Sequence, residues 1–419
     1  MKRTLCAAAL SLMAAAAFSF EFEKPFFSGT TGFLTTIGND REAEKFDPKA
    51  HAESYFAGQF DFSGKLFLRG EFYTLSDSVF EEQMDDHNAI FRVEELSATY
   101  KTTSSSASHY LTLFKGNYEP FGSDLFLQRQ FGIAKISSNL TESYHGIEGT
   151  SIHPIYSLGA SYTAHIEGDN AFAISFYKNK ANQGPEKNNS AVNFDLRYAG
   201  IFEYLTVDTL AGFSFPVESK DEGSDDLISI KEIQMHAGIN ALFGRKKSLM
   251  LYTQLGIDKI ILKKCETSDN SFNMKDLYLL VEPRLPVSDF YFNPSIFNFP
   301  AQTARDMIYL RTLLASHPLA ENILGCNFNL VNENLYVGST KITAGIHATV
   351  AMTDINNSEL KDEPVETIKS AKKAFILTPH ANMEVFGGVV TASFSLDTSE
   401  FNETPRNAFT ASVGFKTSF

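Results

Sequence analysis

Apolar and polar residues alternate with a period of two along most of this 419-residue chain. In "SLGASYTAH", Leu158, Ala160, Tyr162 and Ala164 fall on one side, and Ser157, Gly159, Ser161, Thr163 and His165 on the other. In "ILTPHANMEV" the apolar set is Leu377, Pro379, Ala381, Met383 and Val385, against Thr378, His380, Asn382 and Glu384. "VVTASFSL" sets Val390, Ala392, Phe394 and Leu396 against Thr391, Ser393 and Ser395. A period of two marks a strand with one apolar and one polar face. The polar set is small and hydrophilic, as a wall beside water requires. Helical periodicity is nearly absent.

The alternating segments come in pairs. "SYFAGQFDF" and "LFLRGEFYTL" flank "SGK", "FRVEELSATYK" and "YLTLFKGNY" flank "TTSSSASH", and "YSLGASYTAHI" and "FAISFYKNK" flank "EGDNA". "ILGCNFNLV" and "LYVGSTKITAGIHATV" flank "NEN", and "AFILTPHANMEVF" and "VVTASFSL" flank "GG". Gly, Asn, Asp and Ser at these joints suit tight hairpins, which need positive φ or side-chain-capped turns. Long polar connections separate the pairs, at 76–89, 119–154, 181–190, 216–227, 260–272, 297–321, 352–371 and 397–406. "FFSGTTGFLTTIG" adds a strand at the start and "NAFTASVGFKTSF" one at the end. The pattern predicts an all-β fold, a transmembrane antiparallel up-and-down β-barrel of about 16–18 strands with short periplasmic turns and long extracellular loops. In such a barrel the last strand pairs with the first.

Lys2 and Arg3, the run "TLCAAALSLMAAAAF" and the small residues Ala17 and Ser19 predict a cleaved secretory signal over 1–19. Residues 20–419 then form a single barrel domain. The apolar run is too short for a spanning helix. Cys6 lies within the signal, and Cys265 with Cys326 make no disulfide scaffold. A net charge of -14 without a basic stripe argues against a nucleic-acid partner. Mean hydropathy of -0.14 does not exclude a membrane protein, because a barrel carries its apolar band on alternate residues. With 38 Phe, 16 Tyr and no Trp, an interfacial girdle must be Tyr and Phe, at strand ends such as Tyr55, Phe56, Tyr73, Tyr100, Tyr118 and Phe419.

Parity points Arg69, Glu71, Asp208, Asp258, Glu282, Arg284, His380, Glu384 and Lys416 into the lumen as pore-lining residues, where opposed charges set ion preference. The longest connection, 119–154, is either a constriction loop folded into the barrel, with Asp124, Arg129 and Lys135 as candidate residues, or an outward loop. There is no nucleotide-binding glycine loop, paired-His zinc helix or nucleophile elbow, so no catalytic residues and no enzyme are expected. His380 and Ser393 read as wall residues on neighbouring strands. The acidic loops at 81–88 (Glu81, Glu82, Asp85, Asp86) and 220–226 lack a regular ligand spacing, so neither metal nor cofactor is expected.

From "LFLRGEFYTL" through "LTLFKGNYEPFG" and "LFLQRQFG" the chain resembles the early strands and constriction region of Gram-negative general porins, on Gly116, Tyr118, Pro120, Phe121 and Gly122. The ending "VGFKTSF" resembles the terminal targeting strand of such barrels, with Phe415 and Phe419 as the assembly signal. The resemblance implies a pore in outer-membrane lipid, often a homotrimer, placed by the barrel assembly machinery and passing small hydrophilic solutes. The acidic balance suggests a mild cation preference. Two other readings stand beside the porin: a surface adhesin or antigen barrel acting through its long loops, and a fatty-acid-type transporter barrel for hydrophobic substrates. The short stretch before the first strand leaves little for the plug that the transporter requires.

Overall fold

The computed structural model describes residues 26–39, 45–76, 89–132, 136–142, 149–153, 156–166, 168–180, 190–218, 229–230, 232–245, 248–264, 271–272, 276–305, 322–355, 362–401 and 404–419. The wall begins with β1 (Phe26–Asn39), β2 (Pro48–Asp61), β3 (Leu66–Ser76), β4 (Ala89–Thr103) and β5 (Ala107–Asn117). The next connection carries a short separate pair, β6 (Phe121–Ser123) and β7 (Gly149–His153). The wall resumes with β8 (Tyr156–Ile166), β9 (Asn170–Lys180), β10 (Ser190–Ile201) and β11 (Leu205–Glu218). β12 (Ser229–Ile230) only extends the ladder beside β11, before β13 (Glu232–Phe243) and β14 (Met250–Lys264). β15 (Ser271–Phe272) likewise extends β14. The wall ends with β16 (Leu277–Val287), β17 (Phe290–Pro300), β18 (Asn322–Val337), β19 (Thr340–Ile355), β20 (Lys373–Val385), β21 (Gly388–Asp397) and β22 (Phe409–Ser418).

Each long strand pairs antiparallel with its neighbours along the chain, and β22 returns to β1 from Thr30↔Ser418 to Gly38↔Thr410. The result is a closed 18-strand antiparallel barrel. Its faces are inverted relative to a water-soluble core. Phe33, Leu111, Leu158, Phe172, Ile174, Phe176, Leu196, Phe328 and Phe394 are exposed on the outside. Asp195, Arg197, Asp208, Asn240, Gln254, Glu282, Asn327 and Thr349 are buried on the inside. An apolar exterior around a polar interior is the arrangement a lipid bilayer selects. Among the described residues no helix is long and apolar enough to cross a membrane, which says nothing about strands.

The tight turns define one end of the barrel, the turn end, and the long connections the other, the loop end. One hairpin departs from the expected joint. β18 continues through "NEN" to Val337, and the turn falls at Gly338, whose φ of 63° is what a two-residue hairpin demands. The Asn334 N–H donates to Asn332 Oδ1 at 2.9 Å, and the ladder slips between Asn332 and Leu335. "NEN" is therefore a bulge held inside the sheet, since its side chain caps the extra residue without reversing the chain. The aromatic expectation also needs correction. Tyr55 and Tyr73 form an inward pair, and Tyr118 is buried beyond β5 against Phe114, with ring centroids 4.6 Å apart. Phe56 and Tyr100 stay outside, so the inward rings belong to the lumen and not to a girdle.

Closure finishes at the last residue. The Phe419 N–H donates to Gly29 O at 3.0 Å, and the Gly29 N–H donates to Phe419 O at 2.9 Å. The Phe419 ring lies against Phe27 and Phe56, with centroids 5.4 and 6.0 Å away, and Phe415 meets Phe33 at 6.3 Å. A Cβ at Gly29 would stand 2.7 Å from that ring, so the glycine makes the seat. Deleting Phe419 removes both seam bonds and this aromatic packing. The expected outcome is a marked fall in heat-modifiable, folded barrel in membranes, with single-channel conductance of the surviving protein unchanged. Wild-type levels of folded truncated protein would contradict it.

The inward loop and its anchors

The connection after β5 folds inside the barrel. Its helix, α1 (Leu125–Phe131), turns Leu125, Phe126 and Leu127 to a buried face and ends at Gly132, where φ is 63° and the N–H donates to Gln128 O. A left-handed glycine is the ordinary way to stop a helix. Beside it, β6 and β7 pair through Phe121↔His153 and Ser123↔Gly149. Phe121, Phe126, Leu127, Ile136, Leu140 and Ile152 form one buried cluster with the wall residues Ala171, Ala173, Ala199, Leu210, Tyr252, Tyr278 and Leu280.

The wall is shaped for this loop by missing side chains. Gly238 on β13 and Gly256 on β14 face each other across the ladder. A Cβ at Gly238 would come within 2.3 Å of the Phe121 ring, and one at Gly256 within 1.9 Å of Ile152 Cγ2. The two glycines form a slot that holds the β6–β7 pair.

Charged side chains anchor the rest. Arg197 on β10 grips Asp208 on β11 through Nε–Oδ1 at 2.9 Å and a second bond at 2.6 Å, and donates to Glu119 O at 2.7 Å. Its guanidinium lies over Phe126 at 4.3 Å. Arg129 on α1 bonds Glu95 and lies 3.5 Å from Glu119 Oε1. Arg69 bonds Glu71 at 3.0 Å and approaches Glu95 at 3.8 Å. Arg284 donates to Glu282 at 3.0 Å and to Ile136 O and Ser137 O at 2.9 and 3.1 Å, while Ser138 donates to Glu282. Asp124 accepts from the Ile136 and Ser137 N–H groups at 3.1 and 3.2 Å, and Gln254 donates to Gly122 O at 3.0 Å. Burial pushes the Glu119 carboxyl up, against the Arg129 and Arg197 charges that pull it down. Breaking one partner from a buried pair of this kind costs about 3–5 kcal/mol, because the other charge is left unpaired.

Arg69, Glu71, Asp208, Glu282 and Arg284 thus share the loop's anchorage with Asp124 and Arg129, and Asp258 joins them below. His380 stacks on His347 with centroids 4.6 Å apart on the opposite wall. Glu384 and Lys416 share the inward row through Val389, the residue paired with each, away from the loop's anchors. Lys135, Cys265 and both acidic loops lie outside the described residues. Cys326 is a free, half-buried thiol. Sequence reasoning missed Glu95, Glu119, His153, Asp195, Arg197 and His236. The signal for two of them was present: in "VNFDLRYAG", Asn193, Asp195 and Arg197 alternate with Phe194, Leu196 and Tyr198.

His153, at the end of β7, enters a buried chain of polar contacts. Its Nδ1 bonds Asp258 at 2.7 Å and its Nε2 bonds the Tyr177 hydroxyl at 3.1 Å. Tyr177 donates to Asp195 at 2.9 Å, and His236 bonds the other oxygen of Asp195 at 2.7 Å. His153, Asp195 and His236 place one donor atom each within 4.8 Å of one another, the spacing of a metal-ligand set. Their geometry does not fit an ion. The imidazoles stack at 3.7 Å with planes 13° apart, so their in-plane lone pairs run side by side and do not converge. The cluster is a hydrogen-bond chain tying the loop to the wall. Burial works against a charged His153, but the hydrogen bond and charge of Asp258, with the charge of Asp195, outweigh it and hold the imidazole above its ordinary range.

Among the described residues, cavities lie around the loop. One of about 590 Å³ lies toward the loop end, lined in part by His153, Ser157, Asn179, Asn193, Gln234 and Asp258. A second of about 420 Å³ lies toward the turn end, beside Gln59, Arg69, Thr99, Lys101, Gln128 and Arg129. A third of about 120 Å³ separates Asn139 and Glu142 from His380, Asn382, Ser393 and Ser412.

No protein-family model matches the sequence. No curated protein matches it either. Among solved structures, Salmonella typhi OmpF in complex with daunomycin aligns over 94% of this chain and 97% of its own at 11% identity, with a TM-score of 0.42. A mutant porin from Rh. blastica aligns over 94% and 100% at 9% identity, with a TM-score of 0.41. Wzi, an Escherichia coli outer-membrane protein involved in group 1 capsule assembly and described as a carbohydrate-binding β-barrel, aligns over 98% and 87% at 11% identity, with a TM-score of 0.45. These likenesses carry no argument about what this chain does.

Two outcomes follow from the anchorage. Gly256→Val fills the slot occupied by Ile152, an overpacking that costs about 1–3 kcal/mol. The loop should become cleavable by added protease in the folded barrel, while the same treatment leaves the wild-type loop intact. The His153 anchor should also depend on pH. A folded-state pKa raised above the unfolded value near 6.5 gives stability that is fully present below that value and is lost as pH rises through the raised one. Hydrogen-exchange protection of Gly149–His153, corrected for intrinsic rates, should fall over that window and be flat in His153→Asn.

Proposed function

We propose that the protein is an outer-membrane porin for the passive diffusion of small hydrophilic solutes and ions. The observation that carries this reading is the set of cavities above, beside and below an inward loop, within a closed barrel whose outer face is apolar and whose inner face is polar. The loop narrows the lumen, and the third cavity lies between Asn139 and Glu142 on one side and the hydroxyls of Ser393 and Ser412 on the other. Residues 1–19 serve as the export signal, and the strand ending in Phe415 and Phe419 is the part the barrel assembly machinery reads. Assembly as a homotrimer in outer-membrane lipid is consistent with this reading.

The inner wall favours cations. Glu71, Glu95, Glu119, Asp195, Asp208, Asp258 and Glu282 outnumber Arg69, Arg129, Arg197 and Arg284 among the buried and half-buried groups around the loop. Fixed negative charge along a pore raises the local cation concentration. Purified protein in a planar bilayer should conduct, and its reversal potential in a potassium chloride gradient should shift toward that of potassium. Absence of conductance would instead favour a closed barrel acting through its long loops, and a shift toward chloride would overturn the selectivity.

A further inference from the structure

Two lysines interrupt an apolar row on the outer face of the barrel. Backbone pairing joins Leu96, Lys115, Leu158, Lys178, Val192 and Phe215 across neighbouring wall strands from β4 to β11, so their side chains share one face. That face is the outer one, where Leu96, Leu158 and both lysines are exposed. One step toward the turn end, the outward residues on the same strands include Leu113, Phe176, Phe194 and Phe213, all exposed. One step toward the loop end stand Asn117, Tyr156 and Ser190. On these strands the lysines therefore mark the loop-side border of the apolar band.

Among the described residues neither ammonium has a carboxylate partner, and the three outward rows named above contain no Asp or Glu. A lone lysine at a lipid border needs no partner, because its stem lies along the apolar surface and its ammonium reaches water. A pair is different. Positions two strands apart have Cα atoms about 10 Å from each other, so two four-carbon stems can bring their charges to one headgroup. Tyr156 reaches across β5 to donate to Val93 O at 3.1 Å, which fixes an aromatic edge on the loop side of Lys115. Lys115, Tyr156, Leu158 and Lys178 also border the cavity of about 590 Å³ at the loop end, so the lysines flank a recess and not a flat wall. From this unpaired positive charge at the edge of an apolar surface, we propose that Lys115 and Lys178 form a docking site for the phosphate of a lipid headgroup in the loop-side leaflet. Leu158 lies between the two charges, and Leu113 and Phe176 face the acyl chain below. A lipid is favoured over free phosphate because the apolar surface continues below the lysines, where only a chain attached to the phosphate makes use of it. The inference depends on the barrel lying in a membrane, not on its lumen conducting.

Native mass spectrometry of the full-length barrel in detergent tests it, with bisphosphorylated lipid A, its dephosphorylated form and inorganic pyrophosphate as probes. Retention of lipid A is expected, with the dephosphorylated lipid and pyrophosphate held far more weakly. Lys115→Gln and Lys178→Gln should each weaken lipid A binding by about fivefold, and the double variant by about 25-fold, as expected for lysines at an anionic lipid surface. Lys115→Arg, which keeps the charge, should bind as the wild type does, and so should Lys65→Gln, in a turn at the opposite end. Both lysines are exposed, so the variants should fold, and heat-modifiable mobility verifies it. Equal retention of the dephosphorylated lipid, unchanged binding in the double variant, or pyrophosphate binding as tightly as lipid A would overturn the proposal. A changed oligomeric state with lipid retention intact would also overturn it, and would assign the lysines to a contact between copies. Bilayer conductance of the same preparations reports separately on the pore reading.

Discussion

The structure depends on one constraint: in lipid a sheet can have no open edge. Pairing of β22 with β1 satisfies it, and the last reciprocal bonds, between Phe419 and Gly29, complete the ring at the turn end. Closure does more than satisfy backbone groups. It converts the polar face of every strand into the wall of an enclosed space, where charges are shielded from bulk water. Without the seam, Arg197, Asp208, Glu95 and Glu282 would lie on one face of an open sheet.

Inside that space the usual logic of a protein core is inverted. The cluster around Phe121, Phe126 and Ile152 supplies some apolar packing, but buried charge pairs set the loop's position. An unpaired guanidinium or carboxylate is costly in a low-dielectric interior, so each finds its partner. Several partners are backbone carbonyls of the loop, at Glu119, Gly122, Ile136 and Ser137. The wall therefore holds the loop's main-chain path from independent points on β10, β14 and β16. Three well-separated anchors leave the loop little room to move as a rigid body, and they fix where Asn139 and Glu142 stand beside the third cavity.

Much of this was legible in the sequence, and the part that was not has a common cause. The alternation in "SLGASYTAH" and "VVTASFSL" is a local consequence of the pleat, and it gave both strands and faces. The inward parity of Arg69, Glu71, Asp208 and Arg284 followed by counting. Where a bulge interrupts the alternation, as at Asn332, the pattern places the turn at "NEN", whereas the chain reverses at Gly338, where φ is positive. The inward course of the loop could not be counted at all. It follows from the fit of Phe121 and Ile152 into the Gly238–Gly256 slot, and a glycine in a strand looks the same whether it faces lipid, water or a packed ring.

By itself, the sequence determined an all-β chain of alternating strands, its two faces, the hairpin rhythm and the terminal strand that closes the ring. Each of these is written within a dozen neighbouring residues. Tertiary structure decided which charges meet, that the loop turns inward, and that Lys115 and Lys178 stand in one outward row. His153 and Asp258 are 105 residues apart, and Ser138 and Glu282 are 144 apart. Contacts of that kind depend on the curvature and register of the closed barrel, and no local periodicity encodes either.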